Sequence, residues 1–312
     1  MARSVGIRKP REDRNDALAR ARLRAALVPD LLIEARRIVS TVIAGWHGRR
    51  KRGIGETFWQ FRPYVAGETL AKIDWRRSAR DDHTYVRDME WEAAHTVWLW
   101  ADPSPSMLFK SELGTVAKES RAIVLTLALA ELLSRSGERI GYPGLLKPVT
   151  SRNGAERLAM ALASEHALAL PDTPNLDLVQ KHSDVVLVGD FLDPPEETIA
   201  FLDTVAIRGA RIHLLEVADP VEEVFPYSGR TEFEDPETGA RLTAGRAESW
   251  GEAYKEIYSA RREMLRDHCR KLDWSYTVNR TDRLASEALV ALHGRLTGQP
   301  AAVPGQPVRG AA

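Results

Sequence analysis

A doubly wound α/β domain with a mainly parallel sheet is the fold this sequence predicts, and three observations predict it. From His95 onward, short apolar runs alternate with longer helical patterns. The short runs are continuously apolar rather than alternating, as expected of strands covered on both faces. The segments between them are long enough for right-handed crossovers joining parallel neighbours.

In chain order, Leu32, Ile33, Ala35, Ile38, Val39, Val42 and Ile43 recur at helical spacing. They predict an amphipathic N-terminal helix over residues 29–44, broken at Gly45. The period then changes. Residues 58–61 and 84–89 read as extended, with Pro63 and Gly67 as turn signals, which gives a small extended or β arm. A buried strand is predicted over 96–101, a long helix over 116–134, a brief strand over 139–142 and a helix over 155–170. The clearest buried strand covers 184–189. The helix predicted over 195–208 carries Glu196 and Glu197 in its first turn, at the positive end of its dipole. A strand over 211–217, a polar loop over 219–249, a helix over 250–272, a strand over 274–278 and a helix over 282–296 complete the pattern.

Four regions follow: a basic arm and helix (1–52), an extended segment packing on the body (53–94), the α/β domain (95–296), and a Pro-, Gly- and Ala-rich tail (297–312) expected to be disordered. A chain of 312 residues buries roughly 75% of its unfolded surface and needs no disulfides. The single cysteine, Cys269, excludes an internal disulfide and any multi-cysteine metal site; its helical setting makes it a buried filler. No apolar run reaches the ~18–20 residues of a membrane span. Residues 1–15 lack the apolar core of a secretory signal, so a cytoplasmic address is expected. Zero formal charge excludes the whole chain as a polyanion binder, yet residues 1–52 hold 14 Lys or Arg against 5 Asp or Glu. Such an arm can bind nucleic acid or an anionic membrane. Without aromatics interleaved before Trp46, a solvated face or attraction to the acidic remainder is the simpler reading.

In this fold ligands bind beyond the carboxyl ends of the strands, where neighbouring crossovers diverge. The first strand is followed by Asp102-Pro103-Ser104-Pro105-Ser106, and the strand over 184–189 by Asp190. Two carboxylates and two hydroxyls are thereby predicted to meet on one rim. These are hard ligands, suited to Mg²⁺ or Mn²⁺ rather than zinc. In an extended loop the Asp-x-Ser-x-Ser spacing turns all three side chains the same way, and the two prolines stiffen it. A strand end followed by a Ser/Pro turn, with Asp102 capping backbone amides, accounts equally for the pentapeptide.

Asp102-Pro103-Ser104-Pro105-Ser106-Met107 resembles the metal-ion-dependent adhesion site of von Willebrand factor A domains. Upstream, Gly53-Ile54-Gly55-Glu56-Thr57-Phe58, Arg62-Pro63-Tyr64, Ala66-Gly67-Glu68 and Ile73-Asp74-Trp75-Arg76 through Ala79-Arg80 resemble a signature of the bacterial domain-of-unknown-function-58 family. Members of that family carry it before a von Willebrand A-like domain. The likeness runs from about Leu32 to Leu296. It implies a von Willebrand A-like, Rossmann-type sheet and a metal held by Asp102, Ser104 and Ser106, with Asp190 as the later aspartate that binds through water. Pro174 falls where the threonine of the family's Thr-Asn-Leu pattern would sit, which leaves Thr173 as the candidate ligand. The resemblance also implies a partner, a MoxR-type AAA+ ATPase acting in chaperone-like assembly or metal insertion. The Asp74–Arg80 block reads first as structural, an ion pair and cation–π partners for the extended arm.

Other chemistry is missing from the sequence. There is no Gly-x-Ser-x-Gly elbow and no Walker loop, and the eight histidines form no His-x-His or His-x-x-x-His pair. The expected function is a non-enzymatic protein-binding module with a divalent cation completed by a partner's carboxylate. A metal-dependent phosphoesterase on the same acidic rim is the alternative, and nucleic-acid binding through the basic arm a third.

Overall fold

The computed structural model describes residues 14–47, 58–65, 73–80, 83–89, 95–164, 166–167 and 170–296. The start of the basic arm (1–13), the basic run at 49–52, the glycine-rich segment at 53–57 and the tail at 297–312 lie outside the described residues. The chain divides into two compact units, Trp46–Ala94 and the remainder.

In the smaller unit, β1 (Phe58–Pro63) pairs antiparallel with β2 (Tyr85–Met89), with Phe61 opposite Arg87 and Pro63 opposite Tyr85. Between them lies a single helical turn, α2 (Trp75–Ser78). The carboxylate of Asp74 caps that turn by accepting the backbone N–H of Arg77 at 2.9 Å. The Arg77 guanidinium stands 5.2 Å from the centre of the Tyr85 ring. Ile73 bridges Val86, and both are buried. Within this unit Asp74 thus supplies a cap and Arg77 a ring contact.

The larger unit opens with α1 (Arg14–His47), which continues through Pro29. It starts well before the helix predicted from periodicity, because the Ala-, Leu- and Arg-rich stretch before Pro29 is built of strong helix formers despite its weak pattern. Val28, Leu31, Ala35 and Val39 enter the main core. Arg24 reaches Glu119 at 2.6 Å and Arg36 reaches Glu156 at 2.5 Å.

Next come β3 (Thr96–Ala101), α3 (Lys118–Arg135), β4 (Arg139–Tyr142), β5 (Leu146–Thr150), α4 (Gly154–Leu162) and β6 (Asp184–Gly189). Then follow α5 (Pro195–Ala206), β7 (Arg211–Ala218), α6 (Pro220–Val224), β8 (Thr231–Glu234), β9 (Arg241–Ala244), α7 (Gly251–Lys271), β10 (Ser275–Arg280) and α8 (Ala285–Leu296). The central sheet has six strands in the order β10-β7-β6-β3-β4-β5. Every pair is parallel except β4 with β5. Helices flank this sheet in a Rossmann-like α/β arrangement, and β6 is buried along its whole length. The chain runs from β3 outward to β4 and β5, then returns to β6 on the other side of β3. The switch point of the sheet thus lies between β3 and β6.

Three elements depart from the sequence expectation. α4 ends at Leu162 rather than near residue 170, and just past its end the Ser164 hydroxyl donates to the Ala161 carbonyl at 2.6 Å. β5 was not anticipated because Pro148 breaks the strand signal, and proline is tolerated here because β5 lies at the sheet edge. The stretch read as a polar loop contains α6 and the β8–β9 hairpin. Cys269 is buried in α7, as expected of a filler. Among the described residues no helix is long and apolar enough to cross a membrane.

Candidate functional site

Asp102 and Asp190 emerge from the carboxyl ends of β3 and β6, the two strands beside the switch point. The ends are zipped together, since Asp102 N–H donates to the Val188 carbonyl at 2.8 Å. The close approach depends on Gly189: a Cβ there would stand 3.1 Å from both Cβ and Oδ2 of Asp102.

Beyond Asp102 the chain does not remain extended. Ser104 N–H donates to Asp102 Oδ1 at 2.8 Å, so the turn-capping reading of this aspartate is realised. Pro105–Leu108 then forms a 3₁₀ turn started by its proline and anchored by the fully buried Met107. The turn still brings the hydroxyls together. Ser104 Oγ and Ser106 Oγ are 3.1 Å apart, and Ser106 Oγ donates to Asp190 Oδ2 at 2.8 Å. Asp102, Ser104, Ser106 and Asp190 therefore form one continuous polar cluster. Thr173 is not joined to it by any hydrogen bond among the described residues; it is exposed in the loop between α4 and β6.

Four residues of the site were not found from the sequence. Lys118, at the start of α3, is 1% exposed. Its Nζ donates to Asp190 Oδ2 at 2.8 Å and to Glu222 Oε1 at 2.5 Å. Arg261 of α7 donates to the carbonyls of Asp190 at 2.8 Å and Phe191 at 2.5 Å. This steadies a turn in which Phe191 adopts a left-handed backbone, φ 49°. Glu237, in the turn of the β8–β9 hairpin, accepts the N–H of Ser106 at 3.1 Å. That turn is fixed by Asp235, whose carboxylate takes Glu237 N–H at 2.9 Å and the Thr238 hydroxyl at 2.5 Å. A Lys before an apolar helix and a Glu in a polar loop look like surface residues in a sequence; only the fold reveals their aim.

The electrostatics are uneven. Burial pushes the Asp102 carboxyl up to about 7, and the negative charges of Asp190 and Glu237 add to it against the pull of the Ser104 amide. Burial works against the charge on Lys118, but Asp190 and Glu222 outweigh it and hold the ammonium above its ordinary value. Among the described residues Asp190 thus has a resident cation and Asp102 has no ion-pair partner. The donors around Asp102 are hard oxygens that suit a small divalent cation. Among the described residues no three His, Cys, Asp or Glu side chains are placed to hold a metal by themselves. An ion here would need the serine hydroxyls and water as well.

A Rossmann-like α/β protein with its polar cluster at the switch point is the class that this geometry defines. Within that class the chain belongs to the family described as protein of unknown function DUF58, whose profile matches residues 60–264. It is similar to the uncharacterized protein Rv1480 of Mycobacterium tuberculosis and the uncharacterized protein Mb1516 of Mycobacterium bovis. Each is 26% identical over 236 residues, which span 69% of this chain and 71% of the relative. Among solved structures it is similar to the conserved hypothetical protein BatB from Bacteroides thetaiotaomicron, with a TM-score of 0.42 and 15% identity over 66% of this chain and 98% of that one. An aerotolerance-related membrane protein from Bacteroides fragilis gives a TM-score of 0.40 and 14% identity over 66% of this chain and all of that one.

Proposed function

We propose that this chain is a non-enzymatic protein-binding module of the von Willebrand A type, with a divalent cation, Mg²⁺ or Mn²⁺, held at the switch point. The observation that carries the reading is the cluster itself: two serine hydroxyls and two carboxylates from adjacent strand ends, with no ion-pair partner for the Asp102 carboxyl among the described residues. Asp102, Ser104 and Ser106 would hold the ion, and Asp190, kept in place by Lys118 and Arg261, would reach it through water. A bound cation supplies an unsaturated positive centre at the protein surface, which an Asp or Glu of a partner can complete. The protein's own part is to fix the ligands. The Ser104 amide orients Asp102, the 3₁₀ turn sets the two hydroxyls together, and Gly189 makes room for the carboxylate. Thr173 belongs to this site only if its loop closes toward the cluster. The family resemblance supports a MoxR-type AAA+ ATPase as the partner.

The test is a pull-down of such an ATPase by the full chain in Mg²⁺ and in EDTA. The expected result is capture in Mg²⁺, loss in EDTA, and loss in Asp102→Ala with circular dichroism unchanged. Capture that is indifferent to EDTA overturns the reading.

A further inference from the structure

Among the described residues β10 ends its side of the sheet and pairs only with β7. In an extended strand the N–H and C=O of one residue point the same way, and successive residues alternate. Thr281 N–H donates to Ala218 at the end of β7 at 2.9 Å. By this alternation Thr277 and Asn279 turn their backbone toward β7, and Tyr276, Val278 and Arg280 turn theirs outward. The Arg280 carbonyl accepts the N–H of Arg283 at 3.0 Å, but the N–H and C=O of Val278 have no partner among the described residues. A cavity of about 410 Å³ opens along this edge, between Arg262 and Arg266 of α7 and the start of α8.

Three features define what fits there. Four arginines, at 262, 266, 280 and 283, line the cavity against Glu223 and Glu287. Arg262 and Arg280 share Glu223 at 2.5 and 3.1 Å, and Arg280 also pairs with Asp282 at 2.6 Å. Arg266 and Arg283 have no ion-pair partner among the described residues; Arg266 rests 5.5 Å from the centre of the Tyr276 ring. Next, Asn279 lines the cavity while its Oδ1 is buried and accepts no hydrogen bond, its Nδ2 donating to the Leu284 carbonyl at 3.2 Å. Finally, Val278 offers one outward N–H and one outward C=O. Free guanidinium groups call for carboxylates, the amide oxygen for an N–H donor, and the bare strand edge for an extended backbone.

We propose that this edge docks an acidic, extended peptide segment of a partner protein, added as a strand beside β10. An inorganic anion would satisfy the arginines alone. The arginines would also serve merely to blunt the edge against unwanted strand pairing, and the experiment separates these outcomes.

The ¹⁵N-labelled full chain is titrated with a blocked hexapeptide of alternating glutamate and valine. The expected result is saturable amide shifts at residues 276–283. Affinity should fall at least ten-fold in the Arg266→Glu, Arg283→Glu double variant, and equally for a peptide N-methylated at alternate amides. Both variant sites are exposed, so an unchanged melting temperature confirms that the fold persists. Equal binding of the N-methylated peptide reduces the site to an arginine patch and overturns the proposal. So does absence of binding by a monomeric chain, which leaves only a blunted edge. A dimer in sedimentation that the peptide does not dissociate assigns the edge to a second copy and overturns it too.

Discussion

The ammonium of Lys118 lies 2.8 Å from Oδ2 of Asp190, the same oxygen that takes the Ser106 hydroxyl. One aspartate therefore serves the buried interior and the rim together. A fixed positive charge behind Asp190 limits how much of that carboxylate remains for a divalent ion, and it directs the demand for an external cation to Asp102.

Replacing Lys118 by methionine keeps the volume and removes the charge. Asp190 and Glu222 then lie buried without their cation, a change that costs about 3–5 kcal/mol. Urea unfolding should show that loss in EDTA, with part of it recovered in millimolar Mg²⁺. A variant as stable as the parent in EDTA would show that the pair contributes nothing.

Stability should depend on Asp102 through pH. With a pKa of about 7 in the fold against 3.8 as a free side chain, the folded protein keeps this proton while the unfolded chain gives it up first. Stability is therefore lost as pH rises from about 4 to about 7, by on the order of 4 kcal/mol in the absence of divalent ions. Asp102→Asn should flatten that part of the curve and be more stable than the parent above pH 7. Denaturant midpoints measured across this range in EDTA test it.

Glu237→Ala should scarcely alter global stability, by about 0.5–1 kcal/mol, since the bond it takes from the Ser106 amide comes from a half-exposed hairpin tip. Hydrogen exchange at the Ser106 amide should accelerate locally. An unchanged exchange rate would mean that the hairpin does not cover the loop in solution.

Glu216 receives Arg261 and Arg262 at 2.9 Å each and is also reached by the hydroxyls of Tyr258 and Tyr276. Glu216→Ala takes from the buried Arg261 its carboxylate, while Arg262 keeps Glu223, and should cost about 3–5 kcal/mol. Because Arg261 also holds the Asp190 and Phe191 carbonyls, Tb³⁺ luminescence at the rim should weaken as well. Loss of stability with an unaltered Tb³⁺ signal would confine Glu216 to the interior.

Much of this was legible in the sequence because local pattern and global fold agree. The apolar run 184–189 is a strand buried on both faces, and the aspartates after it and after 96–101 fall beside the switch point. What escaped was governed by contacts distant in the chain. Ser106 meets Glu237 across 131 positions and Lys118 meets Glu222 across 104, separations that periodicity cannot see. The loop geometry was misjudged for a different reason. Asp-x-Ser-x-Ser was expected to remain extended, but Pro105 starts a 3₁₀ turn just as readily, and the burial of Met107 favours it. The β8–β9 hairpin was hidden by short, exposed strands whose polar residues read as loop.

Fifteen of the eighteen residues of α3 are buried, Lys118, Arg121 and Glu131 among them. Its covering comes partly from α8 and from α1, whose Arg24 and Arg36 reach Glu119 and Glu131. The family match, residues 60–264, starts after α1 and stops before β10 and α8. A polypeptide trimmed to those limits would bare the apolar flank of α3 and strip β7 of its outer neighbour, and would precipitate rather than fold. The stretch that carries the family's profile is shorter than the stretch that closes the core.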